Sequence, residues 1–307
     1  MSVAGRTVRR MEGSPVQRRT AEVLTRSPPG AVFGEDYVED LRADLERRLM
    51  EVDPPGRTVL SKGRLNLLAR CEGSFAADLA GEREAFVHRR GTTVGSIAHR
   101  AAQADVARAR SVEPHVLVDY ALSRLLDDDA LALFWTELPD IERSELLAAA
   151  VRQLVLFREM FPPLDPTWQP LPELPMTARL LGGRVVLRGR PDLVLGRPPQ
   201  LPIDLKTGDP RPEHAEDGRF YALVMTLMFR RPPVRVATAY LDSLELAPEE
   251  VEPRMLERAA DRVVDAVTAA TELLRGRDPV LTPGPYCSWC PRASTCPVAA
   301  VRVSSPG

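Results

Sequence analysis

The sequence predicts an α/β or α+β fold with a large helical region ahead of a sheet, and three observations carry the prediction. Thr93 to Phe161 keeps helical periodicity, with breaks at Pro114 and Pro139. Pro162, Pro163, Pro166, Pro170, Pro172 and Pro175 then mark a change of regime. Beyond them, short strand-like apolar segments come first, followed by helix, strand and helix, an order that suits a sheet covered by helices. With 307 residues, 44% of them hydrophobic, the chain can bury a sizeable core in one large domain or two small ones.

Taken in order, residues 1 to about 33 are rich in arginine, include Pro28-Pro29 and offer few apolar positions, which predicts a mobile or loosely packed arm. From Glu35 to Val52, Tyr37, Val38, Leu41, Leu45, Leu49 and Met50 recur at helical spacing until Pro54-Pro55-Gly56 stops them. A second helix is expected from about Ser61, delivering Cys71. After the helical region, Met176 to Leu181 and Arg184 to Arg188 read as a hairpin turned by Gly182-Gly183. Asp192 to Leu195 continues the sheet, Arg197-Pro-Pro-Gln turns it, and Leu201 to Lys206 forms the next strand. A helix from about Glu213 to Phe229, a strand from Val234 to Leu241 and an amphipathic helix from Pro253 to Leu274 complete the series.

The formal net charge of −2 excludes a global basic field of the kind that coats nucleic acid, though a local basic groove remains compatible with it. No run of eighteen apolar residues is present, so no membrane span is expected. Met1 to Arg26 holds six arginines and two acids without a continuous apolar stretch, which is no secretory signal. The expected setting is soluble and cytoplasmic.

Three of the four cysteines fall within ten residues, as Cys287, Cys290 and Cys296, and Cys71 stands alone far upstream. In a cytoplasmic chain such a cluster reads as metal binding before disulfides. Two residues between Cys287 and Cys290 let both thiolates reach one centre. With Cys71 as a fourth ligand, zinc or an iron–sulfur cluster would be accepted and the two ends of a domain stapled together.

Lys206 is one of only two lysines in a chain with 39 arginines, and it lies in Ile203-Asp204-Leu205-Lys206-Thr207-Gly208. Asp204 follows the aspartate of Gly189-Arg190-Pro191-Asp192 by twelve positions, so a short hairpin would bring the two carboxylates together. Hard oxygen ligands on rigid backbone suit Mg²⁺ or Mn²⁺. Lys206 lies one strand alternation from Asp204 and so on the same face. A compact ammonium there can do what a guanidinium cannot.

These motifs, in order, resemble a PD-(D/E)xK nuclease of the RecB type, in the branch with an iron–sulfur cluster that includes the nuclease domain of AddB and CRISPR-associated adaptation nucleases. The resemblance covers roughly residues 60 to 298: Gly95-Ser-Ile-Ala-His99, Gly189-Arg-Pro-Asp192, Asp204-Leu-Lys206, the Tyr221 helix and the four bracketing cysteines. It implies a restriction-endonuclease-like core, a mixed central sheet flanked by helices, with an inserted helical region and a cysteine-ligated cluster. The boundaries implied are an N-terminal arm and helix over 1–55 and one nuclease domain over 56–300. That domain would hold a helical insertion at 92–162, a catalytic core at 170–275 and the cysteine segment at 283–298, ahead of a tail at 301–307.

Carried over residue by residue, the resemblance implies that His99, Asp192, Asp204 and the Leu205 carbonyl hold Mg²⁺ or Mn²⁺, with Lys206 beside the attacking water. Cys71, Cys287, Cys290 and Cys296 would hold a [4Fe–4S] cluster, zinc being the alternative. Tyr221, Arg188, Arg190 and Arg219 are DNA-binding candidates, and Glu173 resembles a further acidic position. The family's Q-x-x-x-Y helix motif reads Asp217-Gly-Arg-Phe-Tyr221 here, so a carboxylate replaces the glutamine. It would repel phosphate unless it binds metal or pairs with a cation such as Arg219.

The function implied is metal-dependent hydrolysis of DNA, acting on single strands or ends, in repair, recombination or defence. The alternatives are a catalytically weak or inert nucleic-acid-binding iron–sulfur protein of the same fold, for which Asp217 speaks, and a zinc-stapled interaction module. The chain has no P-loop, so ATP-driven unwinding would come from a separate helicase partner.

Overall fold

The computed structural model describes residues 13–26, 33–82, 88–196 and 201–299. The chain opens with helix α1 (Pro15–Thr25) and α2 (Tyr37–Val52), strand β1 (Thr58–Ser61), and α3 (Lys62–Arg70) and α4 (Glu72–Leu79), which meet at Cys71. Four helices follow: α5 (Arg90–Ala107), α6 (Pro114–Leu125), α7 (Asp129–Glu137) and α8 (Asp140–Met160). Strands β2 (Leu171–Pro172), β3 (Met176–Leu180), β4 (Val185–Gly189), β5 (Leu193–Leu195) and β6 (Leu201–Lys206) lead to α9 (Pro212–Phe229). Then β7 (Arg235–Tyr240), β8 (Glu245–Glu250) and α10 (Pro253–Leu274) run to the cysteine segment.

The helical region breaks at Pro114 and Pro139 as expected, and each proline opens the helix that follows: Pro114 is the first residue of α6 and Pro139 the N-cap of α8. A proline has no N–H to leave unpaired in a first helical turn. The Gly182-Gly183 hairpin forms between β3 and β4, and both glycines take the positive φ (63° and 97°) that a side chain would resist.

In place of one central sheet the strands form two mixed ones, ordered β1-β4-β3 and β2-β5-β6-β7-β8. The break falls at Arg190-Pro191-Asp192. Pro191 cannot donate to a ladder, while the Arg190 carbonyl accepts from the Tyr221 hydroxyl at 3.0 Å and the Asp192 carbonyl from the Glu173 N–H at 3.0 Å. Gly189 permits the crossing, because a Cβ there would lie 3.0 Å from both Met176 Cε and Tyr221 Cδ1.

The core has two layers. One packs α2, α3, α4, α9 and α10 against the three-stranded sheet, around Leu45, Phe75, Leu187, Phe220 and Leu256. The other packs α5, α6 and α8 against the five-stranded sheet, around Ile97, Leu154, Phe157, Ile203 and Ala239.

The expected loose arm differs from what residues 15–25 do. They form a capped helix against α8, where Gln17 Nε2 donates to the carbonyls of Arg158 (2.8 Å) and Phe161 (3.3 Å) and buried Arg235 donates to the Val23 carbonyl. Polar contacts to backbone hold it, and its apolar side is short, with Thr20 and Ala21 buried and Leu24 packed against the second layer. Residues 1–12, the turn at 197–200 and the tail at 301–307 lie outside the described residues. Among the described residues no helix is long and apolar enough to cross a membrane.

Candidate active site

Strands β5 and β6 pair antiparallel with Leu193 opposite Ile203, which sets Asp192, just before β5, beside Asp204. Side chains alternate along β6. Leu201, Ile203 and Leu205 enter the layer under α5, α6 and α8, so Asp204 and Lys206 face the other way, towards α3 and α9. His99 reaches the same seam from α5, and its Nδ1 lies 2.9 Å from Asp192 Oδ1. The second Asp192 oxygen accepts the Leu205 N–H at 2.7 Å, which fixes the carboxylate plane.

Asp204 is 2% exposed, and its two oxygens face two ammonium groups: Lys206 Nζ at 2.5 Å from Oδ2 and Lys62 Nζ at 2.9 Å from Oδ1. Asp217, on α9 and 4% exposed, closes the circuit at 3.2 Å from Lys206 and 3.6 Å from Lys62, with its other oxygen accepting from Asn66 Nδ2 at 2.9 Å. Asp217 is therefore neutralised by lysines. Arg219, the cation suggested by the sequence, turns instead to Glu216 (2.5 Å) and Glu249 (2.8 Å).

Burial alone would raise the Asp204 carboxyl, but the charges of Lys62 and Lys206 outweigh it and hold the group down to about 2. Lys62 shows the mirror image: burial depresses its ammonium, and Asp204 and Asp217 more than restore it, leaving it above its ordinary value. For His99, burial again lowers and the hydrogen bond and charge of Asp192 raise, with a net rise.

The His99 shift makes a pH prediction. Because the folded value lies above the unfolded one, near 6.5, the imidazolium–Asp192 pair stabilises the metal-free protein fully below about pH 6.5. That contribution is lost as pH rises through the folded value. The difference in thermal midpoint between wild type and His99→Gln, measured without metal, should therefore be largest near pH 6 and shrink towards pH 8.5. Metal uptake, which needs neutral imidazole, should strengthen over the same range.

Of the remaining expected residues, Tyr221 is 2% exposed and supports the site from beneath. Burial, with Asp204, Asp192 and Asp217 adding to it, pushes its hydroxyl far above the ordinary range. Arg188 is exposed on β4, opposite Ser61 and Thr177, and lies outside the groove that His99 lines. That groove, about 1000 Å³, is also lined by Glu173, Arg100, Arg190 and Arg211 and by Thr207-Gly208, which follow Lys206. Arg190 stands 3.6 Å from Glu173, while among the described residues Arg100 and Arg211 have no carboxylate partner. Asp242 braces the turn, accepting from the Gly208 N–H and from Gln153 Nε2, each at 2.8 Å.

Sequence reasoning missed Lys62, Asn66 and Asp242. The rarity of lysine that singled out Lys206 applies equally to Lys62 and could have found it.

The donor set of Asp192, Asp204 and His99, with Asp204 Oδ2 buried and lacking an aligned hydrogen bond, fits a hard divalent cation. Yet among the described residues no three His, Cys, Asp or Glu side chains are gathered closely enough to hold an ion as they stand. Lys62 and Lys206 stand on the oxygens an ion would use.

Cys71, Cys287, Cys290 and Cys296, all free thiols, line a single cavity of about 190 Å³. Thr282 N–H approaches Cys71 Sγ at 3.5 Å, Gly284 N–H approaches Cys287 Sγ at 3.4 Å, and Ser74 Oγ donates to Cys290 Sγ at 3.5 Å. The four thiols line one space, and among the described residues no three of them are gathered closely enough to hold an ion as they stand.

A similar fold occurs in the crystal structure of a candidate exonuclease from Eubacterium rectale, with a TM-score of 0.51 at 12% identity over 91% of this chain and 95% of that one. A second solved structure, SSO0001, is 13% identical over 84% of this chain and 95% of its own, with a TM-score of 0.33. None of the curated proteins matches the chain significantly. The model of the PD-(D/E)XK nuclease superfamily matches residues 59–297, from β1 to the last cysteine, and the chain belongs to that superfamily.

Proposed function

We propose that the protein is a divalent-metal-dependent deoxyribonuclease of the RecB type, acting on single strands or ends in repair, recombination or defence. A separate helicase would deliver its substrate, and a [4Fe–4S] cluster on Cys71, Cys287, Cys290 and Cys296 would staple a nuclease domain spanning about 56–300. One observation carries the catalytic reading: Asp192, Asp204 and Lys206 meet beside His99, which lines a groove edged by Arg100, Arg190 and Arg211.

Asp192, Asp204 and His99 would hold Mg²⁺ or Mn²⁺, with the Leu205 carbonyl a further ligand. The bound ion supplies an acidified water and a clamp on phosphate oxygens. The Leu205 N–H keeps Asp192 aimed, so the carboxylate need not reorganise during reaction. Lys206 orients the attacking water and offsets charge growing on the phosphate. Arg100, Arg190 and Arg211 grip flanking phosphates, and Arg190 can leave the long 3.6 Å contact to Glu173 at little cost. Lys62 and Asn66 satisfy Asp217, so its charge does not face the groove uncompensated.

The test uses anaerobically purified protein with end-labelled single-stranded DNA, closed circular DNA and single-stranded RNA, in Mg²⁺ or Mn²⁺. Metal-dependent cleavage of DNA is expected, reduced at least about 100-fold in Lys206→Ala. Cleavage that needs an end spares the circle. A folded protein that binds DNA without cutting it supports the inert reading instead.

A further inference from the structure

Beyond offsetting Asp217, Lys62 takes no part in the chemistry above, yet it is the second lysine of an arginine-rich chain and is turned into the acid cluster. It opens α3, with its side chain 32% exposed and its ammonium over the Tyr221 ring, 5.0 Å from the centroid. The shorter of its two ion pairs is to Asp204 Oδ1, at 2.9 Å, an oxygen of the buried carboxylate between the strands. The longer, at 3.6 Å, is to Asp217 Oδ2, an oxygen it shares with Lys206. One cation thus has two carboxylates within a small swing, and only Asp204 belongs to the set that would hold a divalent ion.

We propose that Lys62 is a positioning residue that acts as a resident counter-ion, holding Asp204 in the metal-free protein and yielding that oxygen to the divalent ion by shifting fully onto Asp217. Asp217 is then the position to which the displaced ammonium retreats. The pair sets the metal concentration at which the site fills. The inference rests on the metal-dependent reading of the site.

It predicts two effects of opposite sign from one substitution. In Lys62→Met the metal-free protein loses a cation from a buried acid cluster and melts lower, while Mn²⁺ binds about tenfold more tightly because its competitor is gone. In Asp217→Asn the ammonium has nowhere to retreat, and Mn²⁺ binds about tenfold more weakly. Lys62→Arg keeps the charge and stays near wild type. Calorimetric titration of full-length protein with Mn²⁺ alone, beside thermal midpoints with and without the metal, reads all of this without nucleic acid or turnover.

A purely structural Lys62 gives a lower midpoint in Lys62→Met with unchanged or weakened Mn²⁺ affinity, and either result overturns the proposal. Tighter binding in Asp217→Asn also overturns it. Wild type that binds no Mn²⁺ removes the metal-dependent reading itself, whereas wild-type binding that ignores Lys62 removes only this inference.

Discussion

Asp204→Asn is expected to lose metal-dependent cleavage by at least about a thousandfold, a larger effect than that of Lys206→Ala, while the protein remains folded. The substitution is nearly isosteric, so neither layer of the core is disturbed. What changes is charge. Asp204 is a carboxylate at neutral pH, since Lys62 and Lys206 hold its carboxyl down to about 2 despite its burial. An amide leaves both ammonium groups sharing Asp217 and gives the divalent ion a neutral ligand in place of a charged one. Breaking a buried pair costs about 3–5 kcal/mol. Both lysines keep some solvent here (32% and 18% exposed), so about 1–2 kcal/mol is expected. Cleavage kinetics at saturating Mn²⁺, with the thermal midpoint measured on the same sample, check it. The loss should fall on kcat and metal affinity, with DNA affinity nearly intact because the groove arginines are untouched. A variant retaining a tenth of wild-type activity would remove Asp204 from the centre of the site.

If the four cysteines hold the proposed cluster, Cys71→Ser should lose its iron and visible absorbance and melt about 5–8 °C lower, as a loss of roughly 3–5 kcal/mol does in a chain of this size. Cys71 is 8% exposed at the joint of α3 and α4, while the other three thiols lie more than two hundred residues later. A group bridging them would close a loop of more than two hundred residues, and closure of long loops removes most entropy from the unfolded state. Metal analysis and melting of the anaerobic protein decide the matter. Zinc in place of iron identifies the group differently but leaves the fall in midpoint expected. Full iron content and an unchanged midpoint in Cys71→Ser would remove Cys71 from the ligand set.

What could be read in the sequence was whatever a short window contains. Pro253–Leu274 declared itself by an apolar stripe, the β3–β4 hairpin by two glycines, and the Asp192–Asp204–Lys206 group because one hairpin holds all three. Strand β1 is four residues long and pairs in parallel with β4 from far upstream, so nothing near Thr58 announces it. Strand β8, Glu245–Glu250, has an acidic edge-strand composition that hides its pairing with β7. Asn66 and Lys62 meet Asp217 and Asp204 across about half the chain, and the first residues of a helix ordinarily read as solvent-facing. The division into two sheets could not be read either, since a Gly-Arg-Pro-Asp segment serves equally as a turn within a sheet or as a bridge between two.

Helix α3 has a consequence for how the two ends of the molecule communicate. It is nine residues long, about 14 Å of rigid rod. Lys62 stands at its first position, Asn66 at its middle and Cys71 directly after its last. Any displacement of the thiol end is passed along the axis to the two side chains that hold Asp217. If the thiols hold the proposed cluster, a change there would reach Lys62 and Asn66 along a single helix. The C-terminal cysteines would thus act as a remote calibration for a centre they never touch.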